Sequence, residues 1–166
     1  MSFKYMMKPV YRERWNQRID QFDKIHKEEE EVRKQIAEAW GCDCKVFGGE
    51  TNTFDFYCFD KKNVLCIGEL KDHYKKQSDK GMKLFAVRKW SNLVLTAMGM
   101  QVPAYFVVKF ADGVFYRHVD SVAPITWRCS IGGRSDRGLQ NDREPCFWIP
   151  HKEFLPITTL PYEETA

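Results

Sequence analysis

Residues 64–71 read VLCIGELK, an apolar strand pattern that ends in Glu69 and Lys71. Strand side chains alternate, so Glu69 and Lys71 project from one face and continue the line of Leu65 and Ile67. Burying a carboxylate and an ammonium on such a line is costly unless they meet a partner or a metal. The preceding segment, residues 54–59 (FDFYCF), is a second strand candidate, and Asp60-Lys61-Lys62-Asn63 between the two is hairpin-turn chemistry. The hairpin sets Asp55 on the strand beside Glu69. Two carboxylates and the backbone carbonyl of Leu70 make a hard oxygen site suited to Mg2+ or Mn2+. A cation there neutralises and orients a phosphodiester, lowers the pKa of a bound water and stabilises the leaving alkoxide. Lys71 beside it is suited to hold the attacking water and to stabilise the developing negative charge.

The rest of the chain supplies a frame for this pair. Residues 12–40 read as one long amphipathic helix, with Trp15, Ile19, Phe22, Ile25, Val32, Ile36 and Trp40 at helical spacings and Gly41 as its stop. The four glutamates 28–31 form a mostly solvated face from which one can turn inward. A short strand (CKVFGG) follows, with Gly48-Gly49 as its turn. After the hairpin, residues 72–81 form a polar connection, and a second helix is predicted over 82–98, with Leu84, Phe85, Val87, Leu93, Val94 and Ala97 for the core and Gly99 at its end. Two strands at 104–110 and 114–119 are joined by Ala111-Asp112-Gly113. Residues 126–146 are polar, glycine-rich and without periodicity, the pattern of a functional or disordered loop in which Gly132-Gly133 permit closure on a substrate. The closing stretch PCFWIPHKEFLPI packs back onto the core. Helix, three strands, helix and two strands make an α/β fold: a mixed central sheet of four to five strands flanked by helices.

A chain of 166 residues fits one domain, here 1–166, and buries a core without crosslinks. The six cysteines, Cys42, Cys44, Cys58, Cys66, Cys129 and Cys146, are therefore read as reduced thiols. No run of about 18 apolar residues is present, so no membrane helix is expected. The first residues lack an apolar stretch before a small-residue cleavage site, so a cytoplasmic protein is expected. The net charge of +3 permits a nucleic-acid partner only if basic residues gather on one surface.

Asp55, thirteen residues, then Glu69-Leu70-Lys71 resembles the motif of the PD-(D/E)XK nuclease superfamily, which includes restriction endonucleases, Holliday-junction resolvases and phage exonucleases. The order of elements from about residue 25 to residue 119 is similar to that family's common core, leaving 120–166 as a C-terminal extension. Phe54 stands where the motif has proline. The resemblance implies a restriction-endonuclease-like fold and Mg2+- or Mn2+-dependent hydrolysis of DNA, with Asp55, Glu69 and the Leu70 carbonyl as metal ligands and Lys71 as the catalytic cation. In resolvase-like members a helical glutamate precedes the helix-ending glycine by about three turns. Glu30, eleven residues before Gly41, fits that place as an outer contact or a ligand to a second metal. A polar residue on the helix after the motif is also common in the family, and Lys89 is the candidate, with Arg88 and Lys83 as alternatives for substrate contact.

Plainer readings stand beside these. Asp55, Glu69 and Lys71 can form a minor surface ion pair, and Glu30 and Lys89 can be solvated helix charges. Lys75, Lys76, Lys80, Lys83, Arg88 and Lys89 follow the motif as a phosphate-binding group or as a merely solvated connection. Arg128, Arg134, Arg137 and Arg143 decorate the long loop. His73 shares a face with Lys71 and is a possible substrate contact. Cys42-Asp43-Cys44, Cys129, Cys146 and His151 lack the paired spacing of a zinc module. The competing function is a catalytically inactive nuclease-fold protein that binds nucleic acid or a protein partner. A homodimer is expected of an enzyme that cuts both strands, with exposed aromatics of the C-terminal segment as the contact.

Overall fold

The computed structural model describes residues 9–47, 53–124, 126–133 and 143–159, with side chains from residue 24 onward. The Gly48-Gly49 turn, Arg134, Arg137 and the side chains of Trp15, Ile19 and Phe22 lie outside the described residues.

Helix α1 (Pro9–Trp40) buries Val32, Ile36 and Trp40, a stripe at intervals of four residues. Gly41 ends it in the left-handed region at φ 65°, and the Cys42 amide donates back to the Ala37 carbonyl at 3.1 Å. Strands β1 (Asp43–Val46), β2 (Phe56–Phe59) and β3 (Val64–Asp72) follow as an antiparallel meander. Strand β5 (Ala104–Phe110) then pairs with β3 in parallel, and β6 (Gly113–His118) and the short β9 (Leu155–Pro156) complete a mixed six-stranded sheet in the order β1-β2-β3-β5-β6-β9. The expected α/β class holds with β1 as the strand expected at CKVFGG, and the short edge strand β9 widens the sheet beyond the four to five strands expected.

A parallel pair needs a long crossover, and here its first part is not helical. Residues Met82–Ala86 form strand β4, and helix α2 starts only at Val87 and runs to Met100. MKLFA is as compatible with a helix as with a strand by local pattern. What decides is a partner some sixty residues away, since Phe85 pairs with Phe147 and Lys83 with Ile149 across β8 (Arg143–Pro150). Strand β7 (Arg128–Gly133) pairs with the other edge of β8, so the expected loop 126–146 begins and ends in a three-stranded antiparallel sheet, β4-β8-β7. Gly132 is not a hinge for closure: a Cβ there would lie 2.5 Å from Leu84 Cδ2, so glycine serves the close packing of β7 against β4. Gly99 lies inside α2, and Gln101 terminates the helix in the left-handed region at φ 57°.

The six-stranded sheet has a core on each face. Under α1, Trp40 meets the rings of Tyr105 and Tyr116, and its indole donates to the Ile157 carbonyl at 3.0 Å. On the other face α2 and the small sheet cover Ile67, Phe106 and Val108, with Phe85 stacked on Phe106 at 4.0 Å. Two C-terminal aromatics join this second core, Phe154 buried and Phe147 packed on Trp90 and Trp127, while Trp148 donates to Ser130 Oγ at 2.9 Å. Phe154 is thus committed to the fold, and Phe147 and Trp148 are half-buried against it.

Gly68 precedes Glu69 where β2, β3 and β5 are most tightly packed. A Cβ would lie 2.3 Å from the Phe56 ring and 2.8 Å from the Tyr105 carbonyl oxygen. Gly68→Ala should therefore destabilise the protein by about 1–3 kcal/mol through overpacking. A lowered urea midpoint at unchanged slope would show it, and an unchanged midpoint would contradict this packing.

Candidate active site

The charged end of β3 is assembled by its neighbours. Asp55 sits just before β2, and its backbone is tied on both sides: its carbonyl accepts from the Phe47 amide and its amide donates to the Gly68 carbonyl, each at 2.9 Å. The carboxylate is thereby turned toward β3, where Oδ2 accepts from the Leu70 amide at 3.0 Å and from Lys71 Nζ at 3.4 Å. Glu69 is among the few buried charged residues described. Its Oε1 accepts from Lys71 Nζ at 2.7 Å and from Lys89 Nζ, which the first turn of α2 delivers. Burial pulls the Lys71 ammonium toward neutrality, but the Glu69 and Asp55 carboxylates outweigh it and hold its pKa above the ordinary lysine value.

One ammonium thus bridges both carboxylates, at 2.7 and 3.4 Å. Asp55 and Glu69 converge on a single cation, here Lys71. This is the test of fit for a hard divalent ion: two carboxylate oxygen donors with a shared focus, the Leu70 carbonyl on the intervening residue, and the lysines Lys71 and Lys89 as the present counter-charges. Among the described residues no three or more His, Cys, Asp or Glu side chains are arranged as a ready-made metal cage. That also leaves the cysteine-zinc reading without a described site, and all six cysteines are free thiols.

A cleft of about 700 Å³ opens from this cluster, lined by Lys71, His73, Tyr74, Lys83, Arg88 and Lys89 among others. Lys83 reaches it from β4 and not from a helix, donating to the Asp72 carbonyl at 2.7 Å. Burial first, then the charge of Lys71, lowers its pKa to about 8. Arg88 lies 3.5 Å from Glu144, a cleft carboxylate on β8 for which the aperiodic sequence of residues 126–146 carries no signal.

His73 lines the cleft but is engaged from behind. Its Nε2 lies 3.1 Å from Nε2 of His151, whose Nδ1 is 3.0 Å from the Asp79 carbonyl oxygen. A carbonyl only accepts, so His151 carries its proton on Nδ1 and His73 donates to it. Burial first, then the charge of Lys83 and the electrostatic influence of His151 and Lys75, pushes the His73 pKa down to about 4 from 6.5. Above pH 6.5 the ring is neutral in both folded and unfolded chains. Between 6.5 and 4 the unfolded chain takes up a proton that the folded chain resists, so stability should fall as pH falls through that window. His73→Gln should flatten this part of the profile, read as urea midpoints at pH 7 and pH 5. An unchanged difference between the two would contradict it.

The structure does not bring Glu30 to the site. Glu30 is exposed and pairs with Lys34 at 3.3 Å along the outer face of α1. Its neighbour Glu29 is the glutamate turned inward: burial, and then the Asp55 carboxylate, raise its pKa, opposed by Arg33, His26 and Lys71. The phase of the helix carries the signal, because Glu29 precedes Val32, Ile36 and Trp40 by three, seven and eleven residues and shares their face, whereas counting back from Gly41 favours Glu30.

No curated protein matches the chain. Among solved structures it is similar to Hjc, a Holliday junction resolvase of the archaeal hyperthermophile Archaeoglobus fulgidus, with a TM-score of 0.52 and 14% identity over 78% of this chain and 96% of that one. At that identity the likeness is one of fold. Residues 11–157 match the family model described as "Phage putative PDDEXK endonuclease". That match spans nearly the whole chain and includes every element described around Asp55, Glu69 and Lys71, and the protein belongs to this phage PD-(D/E)XK endonuclease family.

Proposed function

We propose that the protein is a divalent-metal-dependent endonuclease that hydrolyses phosphodiester bonds in DNA. The observation that carries this reading is the convergence of Asp55 and Glu69 on one cation at the end of a buried strand, beside a cationic cleft. Asp55, Glu69 and the Leu70 carbonyl would hold Mg2+ or Mn2+. When bound, that ion neutralises the phosphate, acidifies a water and stabilises the leaving alkoxide.

The side chains supply the rest. Lys71 orients the attacking water and donates to the non-bridging phosphoryl oxygen as negative charge builds there. Lys89 holds the Glu69 carboxylate in place from α2, while Lys83 and Arg88 contact flanking phosphates. Glu29 completes the acidic wall on the α1 side. Because it reaches Asp55 and Lys71 electrostatically, Glu29→Gln should lower cleavage by about 10- to 100-fold, as loss of an outer partner does at metal sites, and Glu30→Gln should leave it unchanged. Equal effects from both would contradict this assignment.

A second reading has one observation in its favour. Lys71 and Lys89 neutralise Glu69 without any bound ion, as a non-catalytic nucleic-acid-binding protein would also require. Incubation with supercoiled DNA and Mg2+ or Mn2+, with and without EDTA, decides between them. Nicking that EDTA stops supports the enzyme, and DNA binding without nicking under either metal supports the binding protein.

A further inference from the structure

Tyr74 is the most exposed large hydrophobic side chain named on the described surface, at 83%. A single exposed tyrosine would ordinarily need no explanation. This one lines the same cleft as Lys71, Lys83 and Arg88. The loop that carries it is also clamped at several points. The His73 amide donates to the Lys109 carbonyl at 2.8 Å, the Ala111 amide donates to the Lys75 carbonyl at 3.0 Å, and the Gln77 amide donates to Asp112 at 2.7 Å. The Gln77 side chain donates in addition to the carbonyls of His151 and Phe154, at 3.0 and 3.1 Å. The His73 ring, itself held by His151, flanks the Tyr74 ring at 5.2 Å. An aromatic face is thus presented to solvent from a fixed backbone, two residues beyond the end of β3, where cations line the wall.

We propose that Tyr74 is a stacking platform for an unpaired nucleobase, so that the cleft favours nucleic acid with a single-stranded or branched segment beside the backbone to be cut. This rests on the nuclease reading above and names the substrate class within it. Cations contact phosphate without regard to base pairing, whereas an aromatic face gains only from a base free to leave its stack. Inside an intact duplex both faces of each base are already covered. The platform therefore adds affinity for forks, flaps and single strands and none for a blunt duplex.

The test is binding of fluorescein-labelled DNA in EDTA, so that no cleavage intervenes, comparing a fork with unpaired arms and a blunt duplex of equal length. Tyr74→Ala should weaken fork binding by about 5- to 100-fold, the range for loss of one stacked base, and leave duplex binding within about twofold. Tyr74→Phe and Tyr74→Trp should retain fork binding. A 2-aminopurine in the unpaired arm should be quenched on binding wild type and not on binding Tyr74→Ala. Unchanged fork affinity in Tyr74→Ala, an equal loss on fork and duplex, or a loss in Tyr74→Phe as large as in Tyr74→Ala would each overturn the proposal. Metal-dependent nicking by wild type together with any of these sinks the platform alone. A wild type that binds neither DNA and also fails to nick DNA with Mg2+ or Mn2+ sinks the nuclease reading with it.

Discussion

Lys71→Ala should lower metal-dependent DNA cleavage by about 10²- to 10³-fold or more, the usual cost of removing one donor aimed at developing transition-state charge. The expectation follows from where the ammonium stands. Among the described residues Lys71 is the one group that touches both Asp55 and Glu69, and its pKa is held up by those carboxylates, so it carries a full charge at neutral pH. Losing it removes that donor, while Lys83 and Arg88, the proposed phosphate contacts, still line the cleft. Binding measured in EDTA should therefore change by only a few-fold, within what a single phosphate contact contributes. Lys71→Arg keeps the charge but not the compact point donor, and should recover little activity. Cleavage by Lys71→Ala at the wild-type rate would remove Lys71 from the mechanism.

Glu69→Ala should have the largest combined effect, on cleavage and on stability. Its carboxylate is buried, and two ammoniums converge on the same oxygen. Removing it leaves Lys71 and Lys89 facing each other without their common counter-charge. Breaking a fully buried pair costs about 3–5 kcal/mol, and about 2–3 kcal/mol is expected here because both lysines retain partial access to solvent and can turn outward. Glu69→Gln keeps an acceptor for the two ammoniums, so it should recover part of the stability and none of the cleavage. Adding Mg2+ or Mn2+ should raise the unfolding midpoint of wild type, since a ligand of the folded state stabilises it, and leave that of Glu69→Gln unmoved. Equal midpoint shifts in the two proteins would place the ion elsewhere.

How much of this is legible in the sequence depends on how local the cause is. The alternation in VLCIGELK specifies both a buried strand and the charged end that breaks it, because the period of two is intrinsic to the strand. Asp55 follows from the hairpin, whose turn residues lie between the two strands. The α1 stripe of Val32, Ile36 and Trp40 is likewise local, and its phase also marks Glu29; counting from the helix end instead of following the buried face leads to Glu30. Strand β4 was not legible, since MKLFA has no local feature that opposes helix and its state is set by Phe147 and Ile149 on a distant strand. Strand β7 is hidden for a similar reason: Gly132 and Gly133 read as flexibility, yet the place of a Gly132 side chain is filled by the side chains of Leu84 and Cys146. The inward turn of His73 onto His151 depends on the same C-terminal segment. What the sequence concealed is what the small sheet brings, and that sheet builds one wall of the cleft.

The most direct measurement is anomalous diffraction from crystals soaked in manganese, for wild type and for Asp55→Asn. The account predicts one manganese peak in wild type, shared by the Asp55 and Glu69 carboxylates with Lys71 displaced to its side, and loss of that peak in Asp55→Asn. Manganese bound elsewhere with these two carboxylates still bridged by Lys71, or a peak that persists in Asp55→Asn, would contradict it.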